Sequence, residues 1–243
     1  KMKKVLSNFF DNYSIFALIS FFIVLFSSYS LFLHRSFQTH AWDLGIFAQQ
    51  TWLYGGFDGI YNTVRGTNLL SDHFGAILYL FGPIYRLFPQ AETILIIQAV
   101  LVGLSAYPIF SISKKVLNNT LAGLALSVAY LSSVGIMRAI DFDFHLTTVA
   151  VFFFSFFIYF WYFKKIIWSF IFALLAMICK EDMPIYVIFA SISLAILSFK
   201  DKKTLKYAIY LFLLSAICLI VVFKIMKLIP QTVANFDYFS FNY

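Results

Sequence analysis

Charge is what this sequence has least of: Asp, Glu, Lys and Arg make up 12% of its 243 residues, against 62% apolar and 21% aromatic residues. Soluble domains carry roughly twice that share of charge, so the composition excludes a water-soluble globular domain and implies an integral membrane protein. Cysteine is almost as scarce. Cys179 and Cys218 fall in or at the end of apolar runs, with neither metal-ligand spacing nor a disulfide framework, and read as small packing residues. No small-residue cleavage site follows the first apolar run, which therefore reads as a retained anchor rather than a signal peptide. Internal repeats, low-complexity tracts and the boundary of a soluble domain are also missing. The net charge of +7 comes as short basic clusters between apolar runs, not as one soluble face, so no nucleic-acid partner is expected.

What is present is a series of long apolar runs. Residues 14–33 carry no charge, and as a helix rising about 1.5 Å per residue they span roughly 30 Å of hydrocarbon. Further runs cover 93–112, 121–137, 146–163, 166–179, 183–199 and 207–223. The expected fold is all-α, a polytopic helical membrane protein with about seven transmembrane helices, in which 166–179 is the shortest span. An eighth run, 74–88, is interrupted by "GPIYR". If it does not cross, the clusters Lys1/Lys3/Lys4, Lys114/Lys115, Lys164/Lys165 and Lys200/Lys202/Lys203/Lys206 all fall on one side, which the positive-inside rule makes cytoplasmic along with the N-terminus. The run is therefore expected as an interfacial or re-entrant helix within a long first external loop, 34–92. Residues 1–243 are expected to form a single transmembrane module in a lipid bilayer, the N-terminal part of a longer protein.

This topology sorts the acidic residues. Asp11 and Asp201 fall inside, whereas Asp43, Asp58, Asp72, Glu92, Asp141, Asp143, Glu181, Asp182 and Asp237 fall outside, as do all four histidines. Four polar stretches stand at the external ends of spans: "WDLG" at Asp43, "SDHFG" at Asp72 and His73, "DFDFH" at Asp141, Asp143 and His145, and "KEDMP" at Lys180, Glu181 and Asp182. Converging helix ends would bring them over one cavity. Asp43 opens an amphipathic helix, where a carboxylate serves as a surface residue, a metal ligand or a base. In an extended "DFDFH" the residues i, i+2 and i+4 point the same way, which suits a divalent cation, Mg or Mn, on Asp141 and Asp143 with His145 as nitrogen donor. Asp72 and His73 form either a second ligand pair or a carboxylate that orients a ring. Lys180 either neutralises Glu181 or Asp182 or serves a substrate. Trp42 and Trp52 read as interface anchors, and Gly55 and Gly56 as turn residues.

In order along the chain, "WDLGIFAQQTW", "SDHFGAILYLFGPIYRLFP", "QAVLVGLSAYPIF", "DFDFHLTTVAVFFF" and "KEDMPIYV" resemble the prokaryotic membrane-protein family known as domain of unknown function 2079. One departure is Leu146, where that pattern leads one to expect a proline after the histidine. The family in turn resembles the GT-C superfamily of integral membrane glycosyltransferases. That second resemblance implies a first external loop with juxtamembrane helices and a catalytic carboxylate near its start, the place Asp43 occupies. It also implies sugar transfer from a polyprenyl-phosphate donor on the extracytoplasmic face. Asp43 would take a proton from the acceptor hydroxyl, and Arg138, Lys180 or Arg65 would meet the charge of the leaving phosphate. Asp72, His73, Asp141, Asp143, His145, Glu181 and Asp182 would hold a metal or position substrate. Two alternatives remain from the sequence: a transporter or ion-coupled permease using the acidic set as a cation path, and a non-catalytic membrane scaffold. Donor sugar, acceptor and oligomeric state are not legible.

Overall fold

The chain folds as a bundle of α-helices whose long axes carry the apolar runs, and the computed structural model describes residues 2–229, with side chains from Tyr13 onward. Lys1, Asp237 and the closing aromatic stretch lie outside the described residues, as do the side chains of Lys3, Lys4 and Asp11. The first helix, α1 (Met2–Arg35), is followed by α2 (Ala41–Gly56), a two-residue hairpin β1 (Tyr61–Asn62) and β2 (Thr67–Asn68), the short α3 (Leu69–Asp72) and α4 (Leu78–Leu87). Then come α5 (Ala91–Leu104), α6 (Ala106–Leu117), α7 (Thr120–Leu131), α8 (Val134–Asp141), α9 (Leu146–Tyr162), α10 (Ile166–Met177), α11 (Met183–Leu197) and α12 (Lys202–Leu228).

The seven apolar runs fall on helices, although 93–112 is divided at Ser105 and 121–137 at Ser132 and Ser133. By length and composition alone, three stretches are large enough to cross a bilayer: Tyr13–Arg35, Ala91–Leu117 and Lys202–Leu228. The pair α7 and α8, bent by 46°, makes a fourth if counted as one span. The helices α9, α10 and α11 are apolar but have 17, 12 and 15 residues, short of the ~20 that a straight crossing needs. With ten residues, α4 is about 15 Å long, half the hydrocarbon thickness, and does not cross as a helix.

Burial separates central from peripheral elements. The α5–α6 stretch has 56% of its apolar window inside the protein, against 28% for α1 and 22% for α12, so α5–α6 is the axis and the other two present most of their surface outward. Exposed Phe, Leu and Ile on α1 and α12, such as Phe21, Phe32, Leu213 and Ile217, are what lipid-facing positions require, because apolar side chains gain nothing from leaving hydrocarbon. One core joins α2, α4, α5 and α9 through Phe47, Tyr54, Leu78, Leu95 and Phe153. A second, between α1, α5 and α6, contains Phe22, Phe26, Val102 and Phe110. Gly103 lets α1 lie close: a Cβ there would sit 2.5 Å from Ile23 Cγ1.

Contacts at the helix ends sort by charge. At one end Arg35 meets Glu92, Tyr29 meets Asp141, His40 meets Asp143 and His73 meets Glu181. At the other end Lys164, in the α9–α10 turn, meets Thr204 and Asp201 at the start of α12. The acidic and histidine-rich stretches therefore share one end of the bundle.

Candidate functional site

Asp43 lies in the first turn of α2, where an anion is favoured by the unsatisfied backbone N–H groups of the helix start. Three and four residues later come Ile46 and Phe47, on the same helical face, and all three line a cavity of about 230 Å³. Trp42, Arg65, Asp72, His73 and His145 complete it. Among the described residues the Asp43 carboxylate makes no hydrogen bond or ion pair, so an acceptor group is available to the space in front of it.

The opposing walls are fixed by polar bonds of long sequence range. Arg65 is carried near the tip of the β1–β2 hairpin, whose turn needs the positive φ of Gly66 (+77°). Buried Asn62 anchors the hairpin by donating to the Ile46 carbonyl at 2.8 Å and accepting the Arg65 N–H at 2.9 Å. Arg65 Nε donates to Asp72 Oδ2 at 2.7 Å, and its guanidinium lies 5.7 Å from the Trp42 ring centre. Asp72 is 3% exposed, and a carboxylate so buried requires such a cation. Trp42, read from the sequence as an interface anchor, instead lines the cavity beneath Arg65, while Trp52 stacks under Arg86 at 3.8 Å.

His73 sits across from the α10–α11 turn. Its Nδ1 lies 3.2 Å from Glu181 Oε1, and the Phe74 N–H donates to Glu181 Oε2 at 3.1 Å. A carboxylate only accepts, so the His73 nitrogen is the donor. Burial alone would pull the imidazole down, but the Glu181 bond and the fields of Asp72 and Glu181 outweigh it and hold His73 above its ordinary range. Glu181 is likewise pushed up by burial, yet the His73 and Phe74 donors bring it below the usual carboxylate range. His73 stability is thus fully present below its ordinary 6.5 and lost as pH rises through the raised value. That from Glu181 is present above 4.5 and lost as pH falls through the lowered one. Replacing His73 by Gln should lower the melting temperature of the detergent-solubilised protein most between about pH 5 and 6.5, with the deficit shrinking as pH rises through the raised His73 value. A deficit independent of pH would show that the pair carries no charge-dependent stability.

His145 reaches the cavity from the turn before α9. Its Nδ1 lies 2.9 Å from the Phe144 carbonyl, which only accepts, so the neutral ring carries its proton on Nδ1 and leaves Nε2 as an acceptor. Burial holds this imidazole below its ordinary value, although the Phe144 carbonyl and Asp43 pull the other way. The turn is clamped by Gln98, a buried amide on α5: its Nε2 donates to the Asp143 carbonyl at 2.6 Å and its Oε1 accepts the His145 N–H at 2.7 Å. In the sequence Gln98 stands as a polar residue inside the apolar run 93–112. Its isolation there was the available signal.

The proposed metal trio does not assemble. Asp143 takes a left-handed φ of +40°, which breaks the extended geometry that would align Asp141, Asp143 and His145. Asp141 accepts from Tyr29 at 2.6 Å and Arg138 at 3.2 Å. Asp143 accepts from the His40 N–H at 2.7 Å and contacts the His40 ring at 3.1 Å, tying this turn to the residue before α2. His145 alone faces the cavity. Among the described residues no three His, Cys, Asp or Glu side chains are grouped to hold a metal ion, so the donor set does not fit a Mg or Mn site. Within "KEDMP" the residues also divide, Glu181 going to His73 and Lys180 to Asp182 at 3.7 Å. Of the three cations considered for a leaving phosphate, Arg65 is the one that lines the cavity, and each is paired with a carboxylate: Arg65 with Asp72, Arg138 with Asp141 and Lys180 with Asp182.

The family described as predicted membrane protein (DUF2079) matches residues 33–243, a stretch that contains every residue of the cavity. No curated protein and no solved structure matches the chain.

Proposed function

The chain belongs to that family of predicted membrane proteins, DUF2079, and from this premise we propose that it is a membrane glycosyltransferase of GT-C type. It moves a sugar from a polyprenyl-phosphate donor to an acceptor on the extracytoplasmic face, with Asp43 as base. The observation that carries the reading is a carboxylate without a partner among the described residues, sharing a cavity with Arg65, His73 and His145 at the end of apolar helices. A space of about 230 Å³ is smaller than the roughly 300–1,000 Å³ of drug-sized sites, and suits the reacting end of a substrate whose lipid tail remains in the bilayer.

The chemistry is a displacement at the anomeric carbon. Asp43 accepts the proton of the acceptor hydroxyl as its oxygen bonds to that carbon. The bond from the carbon to the phosphate oxygen breaks, and its electron pair leaves with the phosphate. Arg65 and the protonated form of His73 offset the charge that gathers on the leaving group. His145, neutral with a free Nε2 lone pair, orients a hydroxyl by accepting from it. Gln98 and Asp143 act through others, holding His145 and the approach to α2 in register.

The test is transfer by the full chain in liposomes, with polyprenyl-monophosphate sugars as donors and released polyprenyl phosphate as the readout. Product formed with any such donor, above empty liposomes, supports the proposal. If no donor is consumed while the same vesicles move a cation down a gradient, the permease alternative takes its place.

A further inference from the structure

A larger cavity, of about 770 Å³, opens where the α9–α10 turn meets the start of α12. The 17 residues of α9 separate it from the Asp43 cavity by about 25 Å. Lys164, Lys165 and Lys203 line it, together with Ile167, Trp168 and Ile171 of α10. Those three α10 side chains are 77%, 53% and 41% exposed, so the wall that continues from the lysines is apolar and open.

The carboxylate in this cavity, Asp201, is already engaged. It caps α12 by accepting from the Lys203 and Thr204 N–H groups and the Thr204 hydroxyl, and it lies 3.8 Å from Lys164. Lys164 Nζ also donates to Thr204 Oγ1 at 3.0 Å. Among the described residues Lys165 and Lys203 make no ion pair. Two cations without a counter-charge thus border exposed hydrocarbon and an exposed Trp, the residue type favoured at the headgroup level of a bilayer.

We propose that this cavity binds an anionic phospholipid, its phosphodiester held by Lys165 and Lys203 and its acyl chains laid along Ile167, Trp168 and Ile171. A soluble phosphate would use the lysines but gain nothing from the open apolar wall, whereas a lipid uses both. Lys164, in the same cavity wall, braces the α9–α10 turn against α12. The site is independent of the sugar-transfer reading and rests only on the chain lying in a membrane.

The test is native mass spectrometry of the full chain in neutral detergent, titrated with phosphatidylglycerol or with phosphatidylcholine. Phosphatidylglycerol should bind at least tenfold more tightly, and K165Q/K203Q should remove most of that preference, since each lysine near an anionic headgroup contributes a factor of about five. K200Q/K202Q removes the same charge from lysines that do not line the cavity, and should change affinity by less than about twofold. Equal losses in the two double variants would mean diffuse attraction and no site. Displacement of the lipid by millimolar inorganic phosphate would reassign the cavity to a soluble anion.

Discussion

Asp43→Asn is expected to lower sugar transfer by about 10² to 10⁴-fold, the range that a positioned general base contributes. The substitution keeps the shape of the side chain and removes its capacity to take a proton. Its structural effect should be small. Asp43 makes no hydrogen bond or ion pair among the described residues, so beside its field on the His145 ring the charge contributes its attraction to the start of α2, about 0.3–1 kcal/mol for a residue of this kind. The Arg65–Asp72 and His73–Glu181 pairs do not depend on it. Turnover at saturating donor should therefore fall with the melting temperature nearly unchanged, and donor affinity should hold within a few-fold. Retention of more than a tenth of wild-type turnover would remove Asp43 from the role of base and leave it as a helix-terminal anion. Arg65→Gln is the contrasting case: it strips a buried carboxylate of its cation, so loss of activity there would come with loss of stability.

Much of this architecture was legible because membrane helices announce themselves by length and apolarity, and because basic clusters mark one end. The helix after Thr39 and the grouping of four polar stretches at one end follow from those two signals, whereas the candidacy of Asp43 as base comes from the superfamily resemblance. Pairings within the group did not follow. The alignment of Asp141, Asp143 and His145 assumed an extended backbone, and the left-handed turn at Asp143 sends the two carboxylates to Tyr29 and His40 instead. Nothing local marks that turn, since it is stabilised by Gln98, 45 residues away. Trp42 was assigned by the statistics of interfaces, which say nothing of which wall a ring faces. Helix counting met a different limit. The turns before and after α10 shorten α9, α10 and α11 below the length of a straight span, a property of local backbone geometry rather than of hydropathy.

Gly55 illustrates the same limit and carries the second large effect. Read as a turn residue, it lies inside α2, where its backbone crosses α4 at Gly82. A Cβ on Gly82 would stand 2.5 Å from Gly55 Cα and 2.6 Å from Gly55 N, and one on Gly55 would stand 2.5 Å from the Gly82 carbonyl oxygen. These are backbone atoms that no rotamer change can move, so the two helices must separate. Small residues allow such approach between helices in an apolar medium, where close van der Waals packing does much of the work of association. Gly82→Ala should therefore destabilise by about 1–3 kcal/mol, the usual range for overpacking, despite the gain in helix propensity. For a chain of this size that corresponds to a drop in melting temperature of about 3–10 °C. Gly135→Ala is the control, because a Cβ there meets nothing within 4 Å and the exchange in α8 should be neutral or slightly stabilising. If both variants melt together, the close crossing of α2 and α4 is not what holds this part of the bundle. If Gly82→Ala alone melts early, its loss of transfer activity should exceed its loss of folded protein, since α2 carries Asp43 at its other end and moves as one rod.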